Sequence, residues 1–152
     1  MLSLWQIVLV IIVTTICMEG VAWFTHKYIM HGFLWFLHKS HHTHHKHFLE
    51  VNDVFALVFS AQSMAMIMIG LAYPKWNILF ALGVGIALYG MFYAIFHDIL
   101  VHNRLPFLKF NIKNTYLKRI VRAHGVHHRS HKKDDSEAFG FLYAPKKYDR
   151  NT

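Results

Sequence analysis

The sequence predicts an all-α membrane protein with three transmembrane helices, and two observations lead to this prediction. First, three apolar stretches are each close to the roughly 20 residues that cross the hydrocarbon of a bilayer. Second, the chain is 55% hydrophobic although its formal net charge is +8, and its charged residues other than Glu19 lie outside the apolar stretches. This combination is too apolar for an ordinary soluble domain of 152 residues.

The predicted spans cover residues 2–24, 54–73 and 76–96, within a single membrane domain of residues 1–152. The first span lacks the positive start and the small-residue cleavage site of a secretory signal, so we interpret it as a retained anchor. Only Pro74 and Lys75 separate the second and third spans, which predicts a helical hairpin. No fourth stretch is long enough to span, and the aromatic segment 139–144 is expected to lie at the membrane interface.

The distribution of positive charge predicts the topology. Fifteen of the sixteen Lys and Arg residues lie in 25–52 or after His97. The positive-inside rule therefore places 25–52 and 97–152 in the cytoplasm, and the amino terminus and Lys75 outside. Basic and apolar residues are mixed in 104–133, which predicts a helix on the membrane surface, held by anionic headgroups and not by nucleic acid.

Ten of the fourteen histidines fall into four spaced clusters, all on the predicted cytoplasmic side. The clusters read His26-x4-His31, His38-x2-His41-His42, His97-x4-His102 and His124-x2-His127-His128. Neutral imidazole is the commonest protein ligand for iron, zinc and copper. One metal ion cannot use ten such ligands, so the pattern predicts a site for two metal ions at the membrane face. The single cysteine, Cys17, excludes a thiolate cluster and an internal disulfide.

The spacing within each cluster predicts where its side chains point. Residues at i, i+3 and i+4 share a helical face, so His38, His41 and His42 are expected to aim at one point, and so are His124, His127 and His128. Residues at i and i+5 are about 140° apart on an α-helix. The two x4 pairs therefore require either a helix end that unwinds or two ligands that reach different metals.

The four remaining histidines leave two alternative registers open. These registers read His41-x2-His44-His45 and His128-x2-His131. In the favoured register, the histidines interpreted as solvated or as weak metal-collecting groups are His44, His45, His47 and His131.

Three acidic residues are candidates to accept a hydrogen bond from a ligand imidazole, which fixes the ring and raises its basicity. Glu19 lies inside the first span, where an ionisable group is expensive. Asp98 follows His97 directly, and Asp53 stands with Asn52 at the start of the second span. A hydrogen bond between helices is the alternative for Glu19. No catalytic side chain beyond the metal ligands is expected.

Strings of residues along nearly the whole chain carry a resemblance to a known family. They are Met18-Glu19, HKYIMHG at 26–32, HKSHH at 38–42, EVND at 50–53, FHDILVHNRLPF at 96–107, AHGVHH at 123–128 and FGFLYAP at 139–145. With these strings the chain resembles the membrane-bound fatty acid hydroxylase superfamily, and within it the bacterial β-carotene hydroxylases. In that family a Glu-x-Asn-Asp string follows the second cluster, which favours the register at 38–42. Family members are often drawn with four spans, against the three counted here.

The resemblance implies a non-haem site for two iron ions, held by the ten clustered histidines, that uses O2 to hydroxylate an unactivated ring C–H bond. The implied substrate is β-carotene within the bilayer of a bacterial inner membrane, converted at C3 and C3′ to β-cryptoxanthin and zeaxanthin. The sequence contains no glycine-rich dinucleotide loop. Electrons are therefore expected from an external donor of the ferredoxin type, which a basic face would attract.

Two other classes of function compete with this interpretation. A fatty acid or sterol hydroxylase, a desaturase or a carotenoid ketolase of the same superfamily would use the same ligands. The small size of the chain and its FGFLYAP string favour carotenoid hydroxylation over these. A histidine-rich metal transporter would need polar ligands near the bilayer midplane, and the predicted spans hold almost none.

Overall fold

The computed structural model describes residues 1–43, 49–108 and 110–149, and within these ranges the chain forms helices and loops without a β-strand. The helices are α1 (Leu4–Phe24), α2 (Trp35–His38), α3 (Asp53–Ala72), α4 (Asn77–Tyr93) and α5 (Thr115–His127). α1 continues into a π-helical segment, π1 (Thr25–Phe33), and α4 into a second one, π2 (Ala94–Val101). Short 3-10 turns occupy Lys39–His42, Pro74–Trp76 and Lys146–Tyr148. The prediction of an all-α fold is confirmed.

Three helices are long and apolar enough to cross a membrane, as the sequence predicts. They are Leu4–Phe33, Asp53–Ala72 and Pro74–Val101, and the described residues hold no fourth. The first and third extend beyond the predicted ends at residues 24 and 96 because π1 and π2 continue the helices. Both extensions contain histidines, which makes them look like polar loops in the sequence.

The first and third spans run parallel, with the second antiparallel between them in the chain. The Leu2 amide donates to Asn77 Oδ1 at 3.0 Å, and Asn77 Nδ2 donates to the Leu2 carbonyl at 3.1 Å. These bonds hold the amino terminus beside the Pro74–Trp76 turn. The carboxyl ends of π1 and π2 therefore meet the start of α3 at the opposite end, where the four histidine clusters lie.

Helix α4 is the central span. It packs against both α1 and α3, whereas α1 and α3, which are described in full, make few contacts with each other. A Cβ added at Gly85 would lie 2.6 Å from Thr14 Cβ of α1, and one added at Gly83 would lie 2.8 Å from the Ser63 carbonyl of α3. Ser63 Oγ donates to the Gly83 carbonyl at 2.8 Å. Small residues and such bonds allow close packing where lipid supplies no hydrophobic driving force.

The helix predicted within 104–133 is α5, which begins where the Asn114 side chain accepts hydrogen bonds from the Tyr116 and Leu117 amides. Its apolar face packs against Ala144 and Tyr148 near the carboxyl end of the chain. The segment after α5 therefore folds back over this helix, toward the ends of the spans.

Gly83→Ala is expected to destabilise the protein, because its Cβ would meet backbone atoms of α3 and force the two helices apart. Overpacking of this kind costs about 1–3 kcal/mol. Gly20→Ala in α1 is the matched control, since a Cβ there meets nothing within 4 Å. Thermal unfolding of the detergent-solubilised variants measures both. Equal melting temperatures for Gly83→Ala and the wild type would contradict this packing.

Candidate metal centre

Ten imidazoles from distant parts of the chain converge where the three spans end. They come from π1, from α2 and the turn after it, from π2 with the residue that follows, and from α5 with the residue that follows. All of them are buried or half-buried: His26, His31, His38, His41, His42, His97, His102, His124, His127 and His128. These are the ten histidines of the four sequence clusters.

The imidazoles form two groups, and within each group the ring nitrogens lie within 4.8 Å of one another. Site A consists of His26, His31, His38, His42 and His127. Site B consists of His41, His102, His124 and His128. His97 adjoins site B, because its Nε2 lies 3.0 Å from His41 Nε2. Two groups are what the ten-ligand argument predicts.

Both triplet clusters divide between the two sites, so the expectation that each aims at one point is wrong. Site A receives His38, His42 and His127, and site B receives His41, His124 and His128. Residues i and i+4 are only about 40° apart around a helix, whereas i+3 and i+4 are about 100° apart. Each triplet therefore gives its i and i+4 residues to one site and its i+3 residue to the other. The first triplet gives its i and i+4 residues to site A, and the second gives them to site B.

The helix widens at each of the two x4 pairs, and this brings the two rings of a pair close together. In a π-helix each amide bonds to the carbonyl five residues earlier, so residues five apart lie one above the other. The His102 amide donates to the His97 carbonyl at 2.9 Å, and the Leu34 amide to the Ile29 carbonyl at 3.0 Å. The ring centroids are 4.4 Å apart for His97 and His102, and 5.2 Å apart for His26 and His31. The helix end thus widens from α to π, which is close to the expected unwinding, and His26 and His31 reach the same site.

Seven of the imidazoles direct Nδ1 at an oxygen acceptor. Backbone carbonyls accept from four of them: Phe139 from His26 at 3.0 Å, Lys133 from His31 at 2.9 Å, Ser130 from His42 at 2.9 Å and Glu137 from His127 at 2.8 Å. Side-chain oxygens accept from three: Asn52 from His38 at 2.7 Å, Glu50 from His41 at 3.0 Å and Asp98 from His97 at 2.8 Å. These oxygens only accept, so Nδ1 carries the proton and Nε2 presents a lone pair to the site.

The Nε2 atoms then face one another at close range with no proton to share. The distances are 3.1 Å for His26 and His38, 3.2 Å for His31 and His127, 3.2 Å for His42 and His38, and 3.0 Å for His41 and His97. Lone pairs at such distances repel unless a cation lies between them. Convergent imidazole nitrogens are good ligands for first-row transition metals. The donor set therefore fits one metal ion at each site.

Burial keeps these rings in the neutral form that binds metal. It lowers the pKa of His38 to about 3 and that of His42 to about 4. It also lowers the pKa of His102 and of His127 to about 2, and neighbouring imidazoles act in the same direction. The rings are therefore unprotonated near neutral pH, and no proton has to leave before a metal ion binds.

Carboxylates surround site B, whereas neutral oxygens surround site A. Asp98 accepts from His97, as the sequence predicts, and Glu50 accepts from His41. Sequence reasoning missed Glu50 as a partner of an imidazole, although it opens the EVND string. It also missed the four carbonyls at site A, because a backbone acceptor leaves no signal in residue type.

Arg104 joins the carboxylates of site B. Its Nη1 donates to Asp53 Oδ1 at 2.8 Å, its Nη2 lies 3.4 Å from Glu50 Oε1, and its Nε lies 3.8 Å from Asp98 Oδ1. Asp53 also accepts from the Glu50 amide at 2.9 Å. The predicted bond from an imidazole to Asp53 is thus replaced by indirect support through Arg104 and Glu50.

Glu19 holds a loop in place, and its predicted bond from a ligand imidazole is not formed. Its Oε1 accepts from the amides of Phe141, Leu142 and Tyr143 at 2.9, 2.9 and 3.1 Å. Its Oε2 accepts from the Tyr89 hydroxyl at 2.8 Å. This carboxylate therefore links α1 to α4 and to the FGFLYAP segment. Its bond to Tyr89 is the hydrogen bond between helices that the sequence offered as the alternative.

The FGFLYAP segment packs directly against the metal centre. The Phe139 carbonyl accepts from His26, and the Phe141 ring stacks on the same imidazole with centroids 5.0 Å apart and planes 9° apart. Phe141 and Ala144 are only 7% and 2% exposed, so this segment packs into the protein; its position at the membrane interface stays a prediction. A Cβ at Gly140 would lie 2.9 Å from Glu19 Oε1, which explains the glycine between the two phenylalanines.

A cavity of about 440 Å³ lies beside the centre, between α1 and α3 and over α4. Its end nearest the metal centre is lined by Asn52, Tyr93, Asp98 and Phe141. Each of these contacts an imidazole: Tyr93, for example, stacks on His97 with centroids 4.4 Å apart. Only a single layer of side chains therefore separates the cavity from the histidines.

The remaining histidines do not alter the two sites. His131 Nδ1 donates to the His42 carbonyl at 2.7 Å, and the residue belongs to neither group. His44, His45 and His47 lie outside the described residues.

The family model for fatty acid hydroxylases matches residues 11–149. The chain belongs to the fatty acid hydroxylase family. Within that family it is 44% identical over 141 residues to the β-carotene hydroxylase of Pseudescherichia vulneris, covering 93% of this chain and 78% of the relative. It is 44% identical over 145 residues to that of Pantoea ananas, covering 95% and 81%. It is 39% identical over 138 residues to that of Paracoccus sp. strain PC1, covering 90% and 83%.

No solved structure shows significant similarity to this member of the fatty acid hydroxylase family. The family and the names of these relatives establish an enzyme that oxidises its substrate.

His128→Ala removes one ligand of site B and is expected to lower the bound metal by about half, since site A keeps its donors. His131→Ala, three residues away and outside both groups, should retain the wild-type metal content. Metal analysis of the purified, metal-loaded variants compares the two. The reverse result, with metal lost only from His131→Ala, would show that the register is shifted.

Glu19→Ala removes the acceptor that holds the FGFLYAP loop, and it is expected to weaken metal binding at site A. Outer partners of metal ligands typically contribute about 10–100-fold in affinity. Glu19→Gln keeps an oxygen for the loop amides, so it should lose less metal affinity than Glu19→Ala. Tyr89→Phe should also lose less. Competition with a chelator gives the affinities. Wild-type metal affinity in Glu19→Ala would show that the position of the loop does not affect metal binding.

Proposed function

We propose that this chain is a β-carotene hydroxylase that adds hydroxyl groups at C3 and C3′ of the β-ionone rings, giving β-cryptoxanthin and then zeaxanthin. The single observation that supports this most is the contact between a histidine metal centre and an apolar cavity among membrane-spanning helices. Three bacterial relatives of this name, 39–44% identical over at least 90% of the chain, support the same substrate.

The cavity suits a substrate that already resides in the bilayer. A carotenoid is a long apolar rod, so a ring that enters from the hydrocarbon need not cross water. Met18, Phe55 and Ile67 line the cavity with apolar surface, and Tyr93 and Phe141 close it toward the histidines. These side chains would orient a ring methylene toward the metal centre and exclude water from it.

We infer that sites A and B hold two iron ions. Site A would use His26, His31, His38, His42 and His127, and site B would use His41, His97, His102, His124 and His128. Bound iron would supply the activation of O2 and the oxidation of an unactivated C–H bond. The chain's own part is to keep ten imidazoles neutral and aimed, through carbonyls at site A and through Glu50, Asp98 and Arg104 at site B.

Electrons would come from a separate protein. Hydroxylation needs a pair of electrons for each turnover, and the sequence has no dinucleotide-binding loop. A reduced ferredoxin is the proposed donor, because fifteen of the sixteen basic residues lie in the sequence segments 25–52 and 97–152, which also carry the histidine clusters. An acidic protein would be drawn to such basic segments.

The same charge distribution orients the enzyme in a bacterial inner membrane. The positive-inside rule places residues 25–52 and 97–152, with the metal centre, in the cytoplasm. The amino terminus and the Pro74–Trp76 turn, which lie together at the other end, would face outward.

Expression in a bacterium that accumulates β-carotene, followed by pigment chromatography, tests the proposed function. We expect β-cryptoxanthin and zeaxanthin from the wild type, and neither from His128→Ala at equal membrane expression. Ketone products would instead identify a ketolase. Unchanged β-carotene, with iron and ferredoxin supplied, would contradict the proposal and favour a fatty acid or sterol substrate.

A further inference from the structure

We propose that the carotenoid binds lengthwise in the cavity between α1 and α3, with one ring against Tyr93 and Phe141 and its polyene chain along α4. We call this cavity the α1–α3 groove. The inference rests on the proposed function for the identity of the substrate. Beyond the proposed function, it specifies the position and orientation of the bound substrate and the residues that leave room for it.

The groove is long and runs parallel to the helices. Its lining on α3 extends from Asn52 to Ile67, a rise of about 22 Å at 1.5 Å per residue. Its lining on α4 and π2 extends from Ile86 to Asp98, a rise of about 18 Å. A volume of about 440 Å³ distributed over such a length forms a channel rather than a round pocket. That shape fits a rod-like hydrocarbon better than a compact sterol nucleus.

Small side chains on α4 form the floor of the groove. Ala87 and Gly90 line it, and both are exposed although the helix is the central span. A Cβ added at Gly90 would meet nothing within 4 Å, in contrast to Gly83 and Gly85, where helices touch. The glycine at position 90 therefore leaves empty space over the floor rather than a contact between helices.

The long side of the groove opens laterally. Ala56, Ser60 and Met64 follow one another at intervals of four residues on the α3 wall, and all three are exposed. α1 and α3, both fully described, pack on α4 but scarcely on each other. A hydrocarbon rod could thus enter sideways from the bilayer. Only the end at Tyr93 and Phe141 adjoins the histidines, so only one ring of a bound molecule is presented for reaction.

Protection of a cysteine from labelling tests occupancy without turnover. Cys17 is the only cysteine and is exposed, so Cys17→Ala supplies the background. Ser60→Cys places a thiol in the groove, and Ala61→Cys, also exposed and one residue further, places one outside it. In detergent, β-carotene should slow maleimide labelling of Ser60→Cys several-fold and leave Ala61→Cys unchanged.

Equal labelling rates for Ser60→Cys with and without β-carotene would overturn the proposal. So would a disulfide-linked dimer through Ser60→Cys, which would show that a second copy of the chain fills the groove, or protection that bilayer lipid alone provides in full. Because labelling requires no reaction, it remains informative if the wild type leaves β-carotene unchanged in cells. Protection without conversion would remove the proposed function and keep the groove as a binding site.

Filling the groove provides a second test. Gly90→Phe places a ring above the floor without meeting other protein atoms at its Cβ, whereas Gly20→Phe does the same at an equally open position on α1 outside the groove. Gly90→Phe should abolish both protection and zeaxanthin formation at wild-type metal content. Gly20→Phe should retain both. Wild-type conversion by Gly90→Phe would contradict binding along α4.

Discussion

The whole arrangement depends on imidazoles whose Nδ1 carries the ring proton and donates it in a hydrogen bond, so that their Nε2 lone pairs face each other. Each Nδ1 that donates to a carbonyl, an amide oxygen or a carboxylate leaves its Nε2 as a bare lone pair. At 3.0–3.2 Å from a second lone pair, such as between His41 and His97 or His31 and His127, that nitrogen is repelled unless positive charge lies between them. The protein therefore stores unfavourable electrostatics in a buried site, and a bound metal ion converts that repulsion into coordination. The hydrogen bonds to Nδ1 hold the rings in this arrangement.

The packing of the membrane helices brings these rings together. α1 and α4 run parallel and therefore deliver two histidine pairs to the same end, and glycines on α4 allow both neighbours to approach closely. Because α1 and α3 flank α4 without closing over it, the same packing that builds the metal centre leaves a channel beside it. The two sites differ in their surroundings: backbone carbonyls and Asn52 support site A, whereas Glu50 and Asp98, linked by Arg104, support site B. Site B thus has charged hydrogen-bond partners, whereas those of site A are neutral oxygens.

The sequence predicts the spans, the histidine clusters and their meeting at one end, because these follow from hydropathy, from charge and from the coordination chemistry of imidazole. It does not predict how the ligands divide. The rule that residues i, i+3 and i+4 share a face is too coarse when two ions lie side by side, since the difference between i+3 and i+4 then decides the partner. It also does not predict the role of Glu19, because the partners of this carboxylate are backbone amides far along the chain, which any residue type provides. Asp98, adjacent to its imidazole, was within reach of sequence reasoning.

The π-helical segments show that one arrangement of two ligands can be reached with different spacings in the sequence, depending on the helix type. A pair separated by four positions on an α-helix and a pair separated by five on a π-helix both present their rings on one side. A residue inserted between two ligands of an ancestral helix can therefore be absorbed by widening one turn, without moving either imidazole from its ion. At this location a change of one residue in the spacing of two ligands is therefore compatible with the same arrangement of imidazoles. The acceptors of the Nδ1 protons then define such a site more directly than the number of residues between its histidines.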